Sequence, residues 1–351
     1  MDPMKFNRHP HRRQNILNGE WVLVSPHRTR RPWQGEVARP GQARRPVYDP
    51  GCYLCPGNVR ANGERNPLYQ NTFVFTNDFS ALEQGIPTSA FNQKRLLIAK
   101  SESGICRVVN FSPRHDLTLA EMSNEAIEQV VCTWQNEFEI LAGDPKVNYV
   151  QIFENKGAVM GSSNPHPHGQ LWAQEHVPME VSKESHRFAA HFRRQGRTLL
   201  NDYLQLELKL GERIVWENAS FVVIVPFWAV WPYETLVIAR RSLATILDLK
   251  VEERRDFAEV IRVVTAKYDN LFCISFPYSA GIHQAPCGGK QNEGWHLHMH
   301  FLPPLLRSAT IKKFMVGYEM LAEPQRDITP EVSAATLRGL SLVHYKHLKS
   351  E

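Results

Sequence analysis

The sequence predicts an α+β fold in which one antiparallel unit is used twice. Two apolar helical faces repeat with one spacing. Ile127, Val130, Val131, Trp134 and Phe138 form the first, and Phe257, Val260, Ile261, Val264 and Tyr268 the second, each at i, i+3, i+4, i+7 and i+11. A β-rich run ending in Phe precedes each helix, residues 73–79 and 221–227. A short strand and a histidine-rich segment follow each one, 164–170 in the first unit and 296–300 in the second. From Ile127 to His168 is 41 residues, and from Phe257 to His300 is 43. Order, face and distance agree, which argues for a duplication. On this register His166 matches His298, and His168 matches His300. Short strands with one helix per unit point to antiparallel sheet.

The elements follow in chain order. Residues 1–45 carry ten Lys/Arg against three Asp/Glu, a local net charge of +7 with Arg28, Arg30 and Arg31 clustered. That reads either as a solvated arm or as phosphate recognition, because guanidinium forks match phosphate oxygens. Residues 34–68, rich in Pro, Gly and Arg, read as an irregular insertion, and 84–104 as a second loop. Thr118 with Glu121 reads as a capping box opening the first helix. Strands are expected at Tyr149–Glu154 and Cys273–Phe276, and one long polar helix over about 181–208. A further helical segment is expected near 330–348. The halves divide as 1–178 and 179–351.

Composition sets bounds. The chain has 351 residues, 42% hydrophobic and 22% charged, the profile of a globular protein with room for two cores. Its net charge of +5 is too small to argue for nucleic acid. No run of eighteen apolar residues predicts a membrane span, and residues 1–15 show no apolar signal segment, so a cytoplasmic address is expected. Reduced thiols follow from that address.

The segment Asn164-Pro165-His166-Pro167-His168-Gly169-Gln170 holds the most chemistry. Alternation on an extended strand would project His166 and His168 together. The two prolines place the segment at a strand start or edge. Gly169 admits a close neighbour. Cys52 and Cys55 form C-x-x-C, a metal half-site or a thiol pair. No second C-x-x-C follows, so a metal there needs other ligands, with His115 and His166 the best candidates. His298 and His300 alternate too, and with His283 and one carboxylate they would make a sulfur-free site suited to Zn²⁺ or Fe²⁺. His296 shares their parity, so spacing does not exclude it. His168 is then left without a required metal partner, although a role as a second ligand stays open. A neutral imidazole with a fixed tautomer can attack phosphorus, and Gln170 could hold a phosphate oxygen. Asn77, Asp78 and Asn155 end apolar strands, where binding residues collect and where turn chemistry also places such residues.

The run Met160-Gly161-Ser162-Ser163-Asn164-Pro165-His166-Pro167-His168-Gly169-Gln170 resembles the signature of the galactose-1-phosphate uridylyltransferase family. The resemblance extends through Trp21-Val-Leu-Val-Ser-Pro-His-Arg28, Arg31-Pro32-Trp33, Cys52-x-x-Cys55-x-Gly57-Asn58, Thr76-Asn77-Asp78-Phe79, Phe153-Glu154-Asn155-Lys156-Gly157, Phe276-Pro277-Tyr278 and Lys313-Phe314-Met315-Val316-Gly317-Tyr318-Glu319-Met320. It implies a duplicated HIT-like fold and exchange of UMP between UDP-glucose and galactose 1-phosphate through a covalent uridylyl-histidine. It implies His168 as nucleophile and Gln170 as the group that stabilises the intermediate. Cys52, Cys55, His115 and His166 match structural zinc ligands. Glu184, His283, His298 and His300 match a second site for iron or zinc, which makes His296 a non-ligand. Asn77, Asp78, Asn155 and Ser163 match uridine and phosphate contacts. Arg28, Arg31, Lys313, Tyr318, Glu319 and Gln325 match sugar and phosphate contacts, some supplied across a homodimer. Ser162 stands where bacterial relatives have Cys, a near-isosteric change. Against this enzyme stand a related nucleotidyltransferase or phosphorylase with another nucleotide, and a zinc-stabilised nucleic-acid-binding module.

Overall fold

A computed structural model describes residues 9–30, 45–288, 292–306 and 313–348. Strands β1 (His11–Gln14) and β2 (Trp21–Val24) form an antiparallel hairpin. The metal-half-site loop follows, then β3 (Phe73–Thr76). The expected loop over 84–104 contains a hairpin, β4 (Ala90–Gln93) with β5 (Leu97–Lys100), exposed along its whole length. Next come β6 (Gly104–Asn110), α1 (Asn124–Ala142), β7 (Tyr149–Lys156) and β8 (His168–Gln174). The second half runs α2 (Met179–Gln195), α3 (Leu199–Leu210), β9 (Ile214–Glu217), β10 (Phe221–Ile224), β11 (Thr235–Ala239), α4 (Val251–Phe272), β12 (Tyr278–His283) and β13 (His298–Leu302). A short α5 (Tyr318–Leu321), β14 (Gln325–Arg326) and α6 (Pro330–Arg338) close the chain.

Nine strands make one sheet in the order β3-β6-β8-β7-β12-β13-β11-β10-β9, antiparallel at every pairing. The predicted α+β class is therefore observed. The order also displays the duplication: β7, β8, β6 and β3 run outward from the centre on one side, and β12, β13, β11 and β10 on the other. A smaller sheet, β1-β2-β14, has its one parallel pairing at β14–β2.

Helices α1 and α4 pack on one face of the large sheet. All ten residues of the two predicted apolar faces are buried in the core between helices and sheet. The opposite face is covered in part. Over the second half, Val181, Phe188, Leu200 and Leu204 of α2 and α3 pack on Val222, Ile224, Leu236 and Ile238. Over the first half, Cys52, Leu54 and Cys55 pack on Val108, with Phe75 against them. Between these covers, β8, β7 and β12 leave a furrow lined by half-buried side chains.

Several local expectations are corrected. Thr118 and Glu121 pair with each other across a single 3₁₀ turn, Leu119–Glu121, and the α1 cap is Ser123, whose hydroxyl accepts from the Ala126 N–H at 3.2 Å. Serine reaches the free N–H groups of the first turn as well as threonine does. The long polar helix is two helices, because Gly196 adopts φ +66° and ends α2. Cys273 is the left-handed cap of α4 (φ +53°), so no strand runs over 273–276 and β12 begins at Tyr278. The tail helix ends at Arg338, with only a 3₁₀ turn at Tyr345–His347. The part of the predicted insertion over 34–44 lies outside the described residues.

Candidate active site and metal centres

The first cluster forms where the C-x-x-C loop meets the chain before β8. Asn58 ties the loop, its amide donating to the carbonyls of Asp49 (2.9 Å) and Cys52 (2.8 Å). The predicted shared projection of His166 and His168 is not what the chain adopts. The strand starts at His168, so His166 lies outside the alternation and its ring turns into the loop. Its Nε2 faces the Ser112 carbonyl at 2.8 Å, which only accepts, so Nε2 carries the proton and Nδ1 is free, 3.6 Å from Cys55 Sγ. His115 Nδ1 is 3.8 Å from the same sulfur. Cys52, Cys55, His115 and His166 are all buried, with ligand atoms within 4.8 Å of one another. Burial pushes the Cys55 thiol up to about 11 and pulls His166 down to about 4. A neutral, lone-pair-bearing imidazole beside a thiol that must lose its proton suits a soft divalent cation, and two sulfurs with two nitrogens fit tetrahedral zinc.

The second cluster joins α2 to β12 and β13. His283 Nδ1 lies 3.0 Å from both oxygens of Glu184, His298 Nε2 lies 3.6 Å from one and His300 Nε2 4.0 Å from the other. His298 donates through Nδ1 to the His296 carbonyl at 2.8 Å, which turns Nε2 inward. The Nε2 atoms of His298 and His300 are buried and lack hydrogen-bond partners. Such orphaned nitrogens call for an explanation, and an ion bound by three imidazoles and a carboxylate gives one. Burial alone would raise the Glu184 carboxyl, but the His283 and His298 rings hold it well below its usual range. His296 lies outside this cluster. It is fully buried, with Nε2 on the Ala239 carbonyl and Nδ1 on the Thr198 hydroxyl.

His168 belongs to neither cluster among the described residues. It stands at the start of β8, paired in register with Asn110. Its Nδ1–H donates to the His166 carbonyl at 2.7 Å, leaving the Nε2 lone pair free, and burial pulls its pKa below the ordinary value. Two residues on, Gln170 shares the furrow. Trp172 donates its indole N–H to Gln170 Oε1 at 3.0 Å, and Phe153 packs edge-on against that indole. The oxygen of the amide is thereby occupied, and its NH₂ is left to donate. Gly169 between them meets a neighbour, as predicted: a Cβ there would sit 2.9 Å from the Phe153 carbonyl and 2.7 Å from the Phe111 ring.

Asn155 lines the same furrow, its Oδ1 accepting from the Ser279 hydroxyl at 2.7 Å. Asn77 and Asp78 follow β3 at the first-half edge, and Ser163 is exposed in the loop before β8. Phe75, Val108, Gln170 and Phe153 are register neighbours across four strands, an apolar floor on both sides of one amide. The remaining predicted contacts gather elsewhere, around the small sheet. Arg28 pairs with Asp327 at 3.1 Å, Gln325 donates to Asp327 at 2.7 Å, Lys313 pairs with Glu319 at 3.0 Å and Tyr318 donates to Glu323 at 3.3 Å. Arg31 lies outside the described residues.

Family models of the N-terminal and C-terminal domains of galactose-1-phosphate uridyl transferase match residues 2–178 and 180–349. The chain belongs to the galactose-1-phosphate uridyl transferase family. A galactose-1-phosphate uridylyltransferase from Haemophilus influenzae is 50% identical to it over 338 residues, 96% of each chain. One from Saccharomyces cerevisiae is 48% identical over 356 residues, 97% of each. A solved uridylyltransferase structure is 25% identical with a TM-score of 0.75, covering 96% of this chain and 99% of that one. An ADP-glucose phosphorylase from Arabidopsis thaliana, 23% identical with a TM-score of 0.76, covers 95% of this chain and all of its own, and shares the fold.

Two supporting residues of this uridyl transferase family member escaped the sequence reading. Asn164 faces Cys52 Sγ at 3.4 Å and accepts from the His166 N–H at 2.9 Å, joining the cluster to the histidine segment. Trp172 orients Gln170. Asn164 is legible as a polar residue held in a cysteine-histidine motif. Trp172 carries no signal beyond sharing the strand parity of Gln170.

Proposed function

We propose that this chain exchanges UMP between UDP-glucose and galactose 1-phosphate by two displacements at His168. The Nε2 lone pair attacks the α-phosphorus of UDP-glucose, the bond to the glucose 1-phosphate oxygen breaks, and glucose 1-phosphate leaves. A phosphate oxygen of galactose 1-phosphate then attacks the uridylyl-histidine, releasing UDP-galactose and the free imidazole. No proton has to move. The ring becomes cationic when bonded to phosphorus, and the His166 carbonyl at Nδ1–H stabilises that charge. Gln170, its oxygen held by Trp172, donates to a non-bridging phosphoryl oxygen. Asn77, Asp78, Asn155 and Ser163 recognise the nucleotide.

The observation that carries this reading is one histidine that belongs to neither of the two metal-type clusters, with one nitrogen tethered and the other free. Zinc fits the cysteine-histidine cluster, and iron or zinc the Glu184 cluster. Bound metal would cross-link the loop and α2 to the sheet, which holds the furrow's two walls in place. Arg28, Arg31, Lys313, Tyr318, Glu319 and Gln325 bind the sugar phosphate, in part across a homodimer, consistent with the position of most of them around the small sheet. The halves 1–178 and 179–351 divide the work, one carrying the nucleophile and the other the second metal. No helix among the described residues is long and apolar enough to cross a membrane.

Mass spectrometry of the protein mixed with UDP-glucose alone tests the reading. A gain of one acid-labile uridylyl group and release of one equivalent of glucose 1-phosphate are expected, both abolished by His168→Gly with the fold kept. Absence of the adduct, or its survival in His168→Gly, refutes the covalent route. A comparison of kcat/KM over nucleotide sugars separates uridylyl transfer from ADP-sugar chemistry.

A further inference from the structure

The loop that carries the two cysteines also carries an arginine that reaches β3. Arg60 opens a small turn, its N–H donating to the Glu64 carbonyl at 2.7 Å and its carbonyl accepting from Gly63 at 3.0 Å. Asn66 fastens the turn to the cysteine segment through the carbonyls of Tyr53 (2.9 Å) and Cys55 (3.1 Å). The Arg60 side chain runs inward and is 6% exposed. Its guanidinium lies over the Phe75 ring, 4.4 Å from the centroid, and its Nε is 3.4 Å from Asp78 Oδ1, whose side chain is 7% exposed. The other guanidinium nitrogens meet Asn66 and Glu64.

Two features set this pair apart from a surface salt bridge. Both side chains are buried, so removing Arg60 strands the Asp78 charge. Arg60 Nε and Asp78 Oδ1 also lack a well-formed hydrogen bond, so the carboxylate is held by charge while bonding capacity remains. Phe75 lies in β3 and Asp78 two residues past its end, one in the apolar floor and the other at its rim. A single guanidinium touches both.

The geometry points to Arg60 as a positioning residue that fixes the Asp78 carboxylate and the Phe75 ring for nucleotide recognition. The cysteine-bearing loop thereby sets nucleotide affinity. This rests on the reading above that Asp78 contacts the nucleotide. The pair acts on binding that is common to ground and transition states, so its loss raises KM and leaves kcat nearly unchanged.

Calorimetric Kd for UMP, KM and kcat for UDP-glucose, and Tm are measured for Arg60→Met, Arg60→Lys and Asp78→Asn. Arg60→Met is expected to raise Kd and KM about tenfold with kcat within about twofold, and Arg60→Lys, which keeps charge and loses the fork, about threefold. Asp78→Asn is expected to raise both at least as much, and adding Arg60→Met to it to change them by less than about twofold, because coupled residues do not add. If Asp78→Asn weakens UMP binding and Arg60→Met does not, whatever its Tm, the inference fails and the reading of Asp78 stands. If Asp78→Asn leaves UMP binding unchanged, the reading of Asp78 fails first. Should Arg60→Met not fold, an unchanged Kd in Arg60→Lys overturns the inference.

Discussion

At the scale of single residues, the site depends on which nitrogen carries which proton. His166 and His168 differ by two positions and by one backbone decision. The strand begins at the second, so the first turns to sulfur and its carbonyl becomes the acceptor that fixes the other's tautomer. The motif made both histidines legible, but not their different partners, because parity holds only inside a strand. The pH dependence follows. Burial lowers the His168 pKa, the protonated ring cannot attack, and the midpoint of its protonation therefore lies below the usual 6.5. The single-turnover rate of uridylylation should fall with acid along a limb whose midpoint lies below that value. An acid limb centred above 6.5 would contradict the assignment. Trp172 supplies a second expectation. Trp172→Phe keeps the ring packed against Phe153 and removes the N–H that holds Gln170. A hydrogen bond to a group that stabilises developing charge is worth about 1–3 kcal/mol, so kcat should fall roughly 10- to 100-fold. In a Gln170→Ala background the same change should have almost no effect, and an additive loss would assign Trp172 a packing role alone.

At the scale of elements, the apolar faces of the two central helices were legible because each buries a five-position stripe against the same sheet. The breaks were less so. Gly196 and Cys273 end their helices in left-handed conformations, and glycine alone of the two advertises it. Gly294 is a third such position (φ +79°), and here the conformation serves the site. A Cβ at Gly294 would lie 2.7 Å from the Phe188 carbonyl and 2.8 Å from Phe192 Cβ, both on α2. That helix brings Glu184 to His283, His298 and His300. Gly294→Ala should therefore cost about 2–3 kcal/mol in stability and push α2 outward. The metal content of the Glu184 cluster should drop, measured by elemental analysis beside Tm. Wild-type Tm with full metal content would show that α2 yields without disturbing the ligands.

At the scale of the whole molecule, the chain reads as two units and folds as one sheet. The duplication was visible in the sequence because its landmarks keep their order and distance. The join was not visible, since β7 and β12 are separated by more than a hundred residues and neither carries a pairing signal. They meet in register from Ile152↔Ile282 to Lys156↔Tyr278. Beneath that join, Lys156 and His344 hold the Asp269 carboxylate at 2.8 and 3.1 Å, and Tyr278 donates to Glu154 at 2.9 Å. Burial pushes the Glu154 carboxyl up to about 7. Fragments 1–178 and 179–351 would each expose one side of the join as a bare strand edge. Expressed separately, each should be insoluble or unfolded, while the intact chain melts in a single transition by calorimetry and circular dichroism. Two resolved transitions would mean that the units fold independently.

The central position of the β7–β12 pairing has a consequence for how the protein breathes. Its amide protons lie four strands in from one margin of the sheet and five from the other, roofed by α1 and α4. They can meet solvent deuterium only when the entire molecule opens. In a deuterium-exchange experiment the last signals to vanish should belong to Ile152–Lys156 and Tyr278–Ile282, after those of either central helix. Their decay would then report global unfolding directly.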